Sequence, residues 1–140
     1  KVPHTWEFIH DEIGYNYRLP NLNAALGCAQ LEQLPSKLTA KRGLFKRYQS
    51  VFAFVEGARL IAEPPKCLSN YWLQTIMLDI DQINQRDVIL QITNDMKLTT
   101  RPVWRLMHFL TPFVNCPRMD LSGAELLAKR LINIPSSPDL

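Results

Sequence analysis

No run of apolar residues in this sequence approaches the roughly 18 that a membrane-spanning helix requires, so no transmembrane anchor is expected. The opening stretch, KVPHTWEFIHDE, lacks the continuous apolar segment of a secretion signal. It also does not begin with Met, and the chain reads as a fragment or a processed form. Glycine loops that cradle phosphates are missing, since neither a GxGxxG nor a Walker A pattern occurs. No nucleophile elbow is present. Cysteine is scarce and odd in number: Cys28, Cys67 and Cys116 fit neither CxxC nor any zinc pattern. A reducing, cytoplasmic compartment is the simpler expectation, with Cys28 read as a small core residue in an apolar helix. His4, His10 and His108 lack metal-ligand spacing, so no metal site is expected. Asp11 and Glu12 follow His10, but adjacent side chains point in different directions and make no acid–base pair on that account.

What is present describes a globular domain. A chain of 140 residues, 46% hydrophobic and 21% charged, is long enough for one core and short for two. The net charge of +3 and pI of about 8.9 sit at the edge of what nucleic-acid binders show. Lys37, Lys41, Arg42, Lys46 and Arg47 cluster within eleven positions. At helical spacing they are expected to form a solvated face; a nucleic-acid stripe is the alternative.

Residues 1–20 show no clear period and read as an arm or loop. A helix is expected from about Asn21, with Pro20 at its edge. Leu22, Ala25, Leu26, Ala29 and Leu34 give it a buried stripe, with Ala24, Gly27 and Cys28 allowing close approach. Pro35 predicts a kink or break. A second helix then spans about 36–54, with Leu38, Leu44, Phe45, Tyr48, Val51 and Phe52 inward. Gly57 and Pro64-Pro65 flank a short extended piece. NYWLQTIMLDI alternates and predicts a strand, with Trp72, Gln74, Ile76, Leu78 and Ile80 on one face. QRDVILQITNDMK predicts a helix capped by Asn84 with Val88, Ile89, Ile92 and Met96 inward. LTTRPVW predicts a strand broken at Pro102, and the prolines after it a loop. Ser122 and Glu125 have capping-box spacing before a last helix, GAELLAKRLINI, with Leu126, Leu127 and Leu131 inward. The fold class is α+β, long helices covering one side of a small sheet.

Two places carry more polar and aromatic residues than packing needs. Tyr15, Asn16, Tyr17 and Arg18 crowd the mouth of the first helix. Free backbone N–H groups, an Asn amide and an Arg fork there suit an anion; equally, they satisfy turn backbone while the tyrosines pack. Arg101, Trp104, Arg105 and His108 cluster after a strand. Guanidinium groups suit phosphates and an indole suits a base or sugar face; the alternative is a lid held by ordinary packing.

HDEIGYNYRLPNLNAALGCAQLEQL, His10 to Leu34, strongly resembles a signature of the pyridoxal-phosphate-dependent sugar aminotransferases of the DegT/DnrJ/StrS type. Gly14, Tyr15, Asn16, Arg18, Ala24, Ala25, Gln30 and Leu31 meet the family pattern. Arg42 and Tyr48 follow at the family's spacing. Thr100 to His108 is similar to its substrate loop, although the family often has His-Tyr where this chain has Val103-Trp104. SNYWLQTIMLDI and TRPVW resemble the branch that aminates 4-keto sugars on UDP for bacterial surface glycans.

The resemblance implies the small C-terminal domain of a fold-type I (aspartate aminotransferase-like) enzyme. Residues 1–20 would be an arm reaching the dimer partner, and 21–140 the small domain. It implies a homodimer with shared sites, glutamate as amino donor, a nucleotide-linked keto sugar as acceptor, and neither nucleic acid nor membrane as partner. Asn16 and Arg18 would bind the cofactor phosphate. His108, Arg101, Trp104 and Tyr17 would touch the sugar nucleotide. The Schiff-base lysine of the family lies upstream, and Lys1 stands too close to the motif to be it. The fragment alone is therefore expected to be inactive and without cofactor. The other class left open is a noncatalytic dimerisation or regulatory module of the same fold.

Overall fold

The computed structural model describes residues 4–7, 9–16 and 18–139; Lys1 and Tyr17 lie outside them. The regular elements run α1 (Asn21–Glu32), α2 (Leu34–Phe52), β1 (Ala58–Leu60), β2 (Gln74–Leu78), α3 (Arg86–Asp95), β3 (Arg101–Pro102), α4 (Ser122–Ala128) and β4 (Leu131–Ile134). Short 3-10 turns occupy Ile80–Gln85, Met107–Phe109 and Thr111–Phe113.

The strands form one sheet in the order β1-β2-β4-β3, every neighbouring pair antiparallel. Ile76 faces both Leu60 of β1 and Ile132 of β4 across the ladders. Since β2 and β3 each run antiparallel to β4, they are parallel to one another. They are joined through α3, with β4 inserted between them.

Gln74, Ile76 and Leu78 project from one face of β2, as the alternation predicts. Ile76 and Leu78 join Leu90 of α3 and Ile132 of β4 in the core, edged by Phe52 of α2 and by Ile89. Gln74 donates to the Lys41 carbonyl of α2 at 3.3 Å. Both helices therefore meet this face. Phe45 of α2 stacks on Tyr71, with ring centroids 4.1 Å apart. Gly57 turns the chain into β1 at φ +78, and a side chain there would meet Gln82 at 3.1 Å, so glycine is favoured.

The break predicted at Pro35 is found. The chain leaves α1 at Gln33, and Pro35 sits in the first turn of α2, where its missing N–H leaves no bond unmade. Other expectations are corrected. α1 buries none of its residues: Leu22 is 81% exposed and Leu26 60%, and Cys28 is exposed as well. The core face of α3 is set by Leu90, at 0% exposure, while Val88, Ile92 and Met96 face outward. Asn84 lies in the preceding 3-10 turn, and α3 carries no side-chain cap. The β2 strand is shorter than the alternating run, leaving Trp72 and Ile80 exposed at its two ends.

The largest correction concerns the C-terminal segment. α4 ends at Ala128, and LINI is not helix but β4, which pairs with both β2 and β3. Leu126 and Leu127 are correspondingly exposed. The capping box does not form. Glu125 is bonded to His108 instead, and the Ser122 hydroxyl donates to Asp120 at 2.8 Å. The basic cluster is also only partly a solvated face. Lys41 and Arg42 are turned onto the loops beyond β1 and β4.

Candidate functional site

Arg101 is placed by the junction between α3 and β3. The Asn94 amide donates to the Leu90 carbonyl at 2.7 Å and to the Thr100 carbonyl at 3.1 Å. The hydroxyls of Thr93 and Thr100 share a 2.5 Å bond. Thr100 is buried, so this polar knot fixes the backbone just before Arg101 at little cost, each group being satisfied. On the next strand, Asn133 is buried, accepts from Thr75 at 2.8 Å and reaches the Pro102 carbonyl at 3.4 Å.

Beyond that knot opens a cleft of about 560 Å³. Its lining comes from four separate segments: Trp6 and Glu7 of the arm, Trp72 and Leu73 before β2, the run from Lys97 through β3 to Arg105, and Asn133 to Ser137. Trp72 and Trp104 stack across it with centroids 5.9 Å apart and planes 30° apart. Both indoles are more than half exposed, giving a flat apolar surface flanked by cations. Arg101 donates to the Thr5 carbonyl at 3.1 Å, and Arg105 lies 3.8 Å from Glu7. These contacts tie the arm to the cleft. A guanidinium has five N–H donors, so Arg101 retains donors beyond the one given to Thr5.

The structure thus brings Arg101 and Trp104 together as the sequence suggests. It adds Trp72, Glu7 and Asn133, which sequence reading did not single out. The available signal was an aromatic residue at the outer end of each of two strands.

His108 lies elsewhere. It lines a second cleft of about 430 Å³ with Arg118, Asp120, Ser122 and Glu125. Its Nε2 pairs with the Glu125 carboxylate at 3.0 Å, and its ring lies 4.0 Å from that of Phe109. The Ser122 hydroxyl and then its backbone N–H hold the Asp120 carboxyl below its ordinary pKa.

Asn16 and Arg18 line neither cleft and are exposed. The Asn16 Oδ1 accepts the Arg18 N–H at 3.4 Å in a local turn, which leaves the amide N–H₂ as donor. Arg18 adopts φ +108, a strained conformation for a residue with a side chain. The donor set of an amide and a guanidinium suits a phosphate. Tyr17 lies outside the described residues. Among the described residues no helix is long and apolar enough to cross a membrane, and no group of three His, Cys, Asp or Glu is placed to hold a metal ion.

Comparison with known proteins bears on this geometry. Residues 1–140 match the DegT/DnrJ/EryC1/StrS aminotransferase family. The chain is 33% identical over 135 residues to EpsN of Bacillus subtilis (strain 168), provisionally described as a pyridoxal phosphate-dependent aminotransferase; the match covers 94% of this chain and 34% of that protein. It is 32% identical over 135 residues to GDP-perosamine synthase of Escherichia coli O157:H7, covering 96% and 35%. The structure of Helicobacter pylori PseC, an aminotransferase involved in the biosynthesis of pseudoaminic acid, superposes with a TM-score of 0.80 at 18% identity, covering 99% of this chain and 38% of that one. The fold is that part of a fold-type I sugar aminotransferase, and the chain spans about a third of the length of these relatives.

Proposed function

Because the chain belongs to the DegT/DnrJ/EryC1/StrS aminotransferase family, we propose that it is part of a pyridoxal-phosphate enzyme that transfers the amino group of glutamate to a 4-keto sugar carried on a nucleotide. The observation that carries this reading is the family match across all 140 residues. The resemblance to a GDP-perosamine synthase supports the nucleotide-linked acceptor.

When bound, the cofactor supplies the electron sink for moving an amino group between carbons. The residues of this chain bind and orient. Asn16 gives its amide N–H₂, and Arg18 its guanidinium, to the cofactor phosphate. Trp104, with Trp72 beside it, offers a flat face to the base or sugar, and Arg101 neutralises the diphosphate. His108 is assigned to the sugar nucleotide by the family resemblance, from the second cleft, where its Nε2 pairs with Glu125. Tyr17 completes the substrate contacts. Holding the acceptor in place in this way lowers the entropic part of the barrier.

In this reading residues 1–20 reach a second copy of the protein and residues 21–140 form the small domain. The enzyme is a cytoplasmic homodimer with shared sites. The exposed leucines of α1 (Leu22, Leu26 and Leu31) then lie against other parts of the dimer. The 140 residues alone, without the upstream lysine, are inactive. The same leucines are also what favours the second reading, a noncatalytic association module, which predicts self-association with no turnover.

Product analysis separates the two. Full-length protein incubated with glutamate and a nucleotide-linked 4-keto sugar should yield the amino sugar by mass spectrometry. Return of unaltered keto sugar contradicts the enzyme reading.

A further inference from the structure

The ladder between β2 and β4 ends at Gln74 opposite Ile134. Continued two residues outward, the same register sets Trp72 opposite Ser136. Pro135 intervenes, and proline has no N–H to give to a ladder. Side chains take over where the backbone ladder stops. The Ser136 hydroxyl accepts the Gln74 N–H at 2.8 Å and donates to the Ile134 carbonyl at 2.6 Å. Beyond it, the ammonium of Lys41 donates to the Trp72 carbonyl at 2.8 Å and also to the Ser136 carbonyl. About two turns further along α2, the Tyr48 hydroxyl donates to the Pro135 carbonyl at 3.0 Å.

Lys41 thus reaches two carbonyls, 31 and 95 residues away, on two segments that both line the larger cleft. A half-buried ammonium is costly unless its donors are used, and these two bonds use two of its three. We propose that Lys41 is a positioning residue for the cleft: its ammonium clips the frayed ends of β2 and β4 together and thereby sets where Trp72 stands against Trp104. The consequence for substrate rests on the reading of this cleft as the nucleotide-sugar site. Lys41 itself does no chemistry. It acts through the backbone of Trp72, and the width of the cleft follows from a contact made behind it by α2.

The test uses full-length protein carrying Lys41→Met, which keeps most of the side chain and removes its donors, and Lys41→Arg, which keeps donors. The stacked indoles should give a tryptophan couplet in near-ultraviolet circular dichroism, assigned by its loss in Trp72→Phe. Lys41→Met should lose the couplet and raise KM for the nucleotide sugar about tenfold while leaving kcat within about twofold, the pattern of lost uniform binding. Lys41→Arg should restore the couplet and most of the KM. A wild-type couplet and KM in Lys41→Met overturn the proposal. Loss of the couplet with unchanged KM keeps the clip and overturns the assignment of substrate to this cleft. Should Lys41→Met not fold, Lys41→Gln, whose amide is too short to reach both carbonyls, is expected to show the same losses, and wild-type behaviour in it overturns the proposal.

Discussion

Arg42 grips Glu63 with both terminal nitrogens, Nη2 to Oε1 at 2.6 Å and Nη1 to Oε2 at 3.1 Å. The same Nη1 reaches the Ser69 carbonyl at 2.7 Å, and the Ser69 N–H returns to Glu63 at 2.6 Å. This bidentate pair fastens α2 to the loop that leads to Trp72, and it makes folding depend on acid. The Arg42 bond, and then the Ser69 N–H, hold the Glu63 carboxyl below its ordinary pKa. A depressed carboxylate contributes stability that is present above its unfolded value and is lost as pH falls through the folded value. Glu63→Gln should therefore lower the urea midpoint at pH 7, and the two proteins should converge as pH drops below the carboxylate range. Midpoints that stay equally far apart from neutral to acid pH would show that the pair does not titrate with folding.

The core assignment of α3 yields a contrast between two residues two positions apart. Leu90→Ala opens a cavity among Ile76, Leu78 and Ile132 and should cost about 2–5 kcal/mol. Ile92, 53% exposed, should tolerate alanine within about 0.5 kcal/mol. Urea unfolding of both variants measures this, and equal losses would return Ile92 to the core.

Those residues also show how far the sequence could be read. α3 carries two apolar stripes, and periodicity alone does not say which one meets the sheet; Leu90 wins because Thr93 and Asn94 on its side bond to Thr100. Pro35 marked the break between α1 and α2 because a missing N–H acts locally. β4 was not legible. Leu127 and Leu131 have helical spacing, only four residues form the strand, and its partners β2 and β3 lie far away in sequence. The capping box failed for the same kind of reason, since Glu125 finds His108 seventeen residues away. Arg101 and Trp104 are readable as a cluster because they lie three residues apart, at the end of β3 and just beyond it. Trp72 and Asn133 reach the cleft only through the sheet.

Removing the indole of Trp104 should weaken substrate rather than donor. Loss of a stacking face costs about 1–3 kcal/mol, so Trp104→Ala should raise KM for the nucleotide sugar by about 5-fold to about 150-fold. The half-reaction with glutamate should keep its wild-type KM. Steady-state kinetics with each substrate varied in turn decide this, and an unchanged sugar KM removes the cleft from substrate binding.

Asn16 is assigned to phosphate rather than to sugar, so its loss should appear in cofactor retention. Asn16→Ala in the full-length protein should weaken pyridoxal-phosphate binding by about 1.5–3 kcal/mol, the worth of a hydrogen bond to a charged group. Equilibrium dialysis against cofactor gives the value. Wild-type retention would leave Asn16 as a turn residue serving only the Arg18 N–H.

The aminotransferase assignment is tested most directly by the visible absorbance of the full-length protein purified with pyridoxal phosphate. Addition of glutamate alone should bleach the cofactor band, and addition of a nucleotide-linked 4-keto sugar should restore it, with one amino sugar formed per band recovered. A cofactor band that glutamate leaves unmoved, or a purified protein that holds no cofactor, would contradict the assignment.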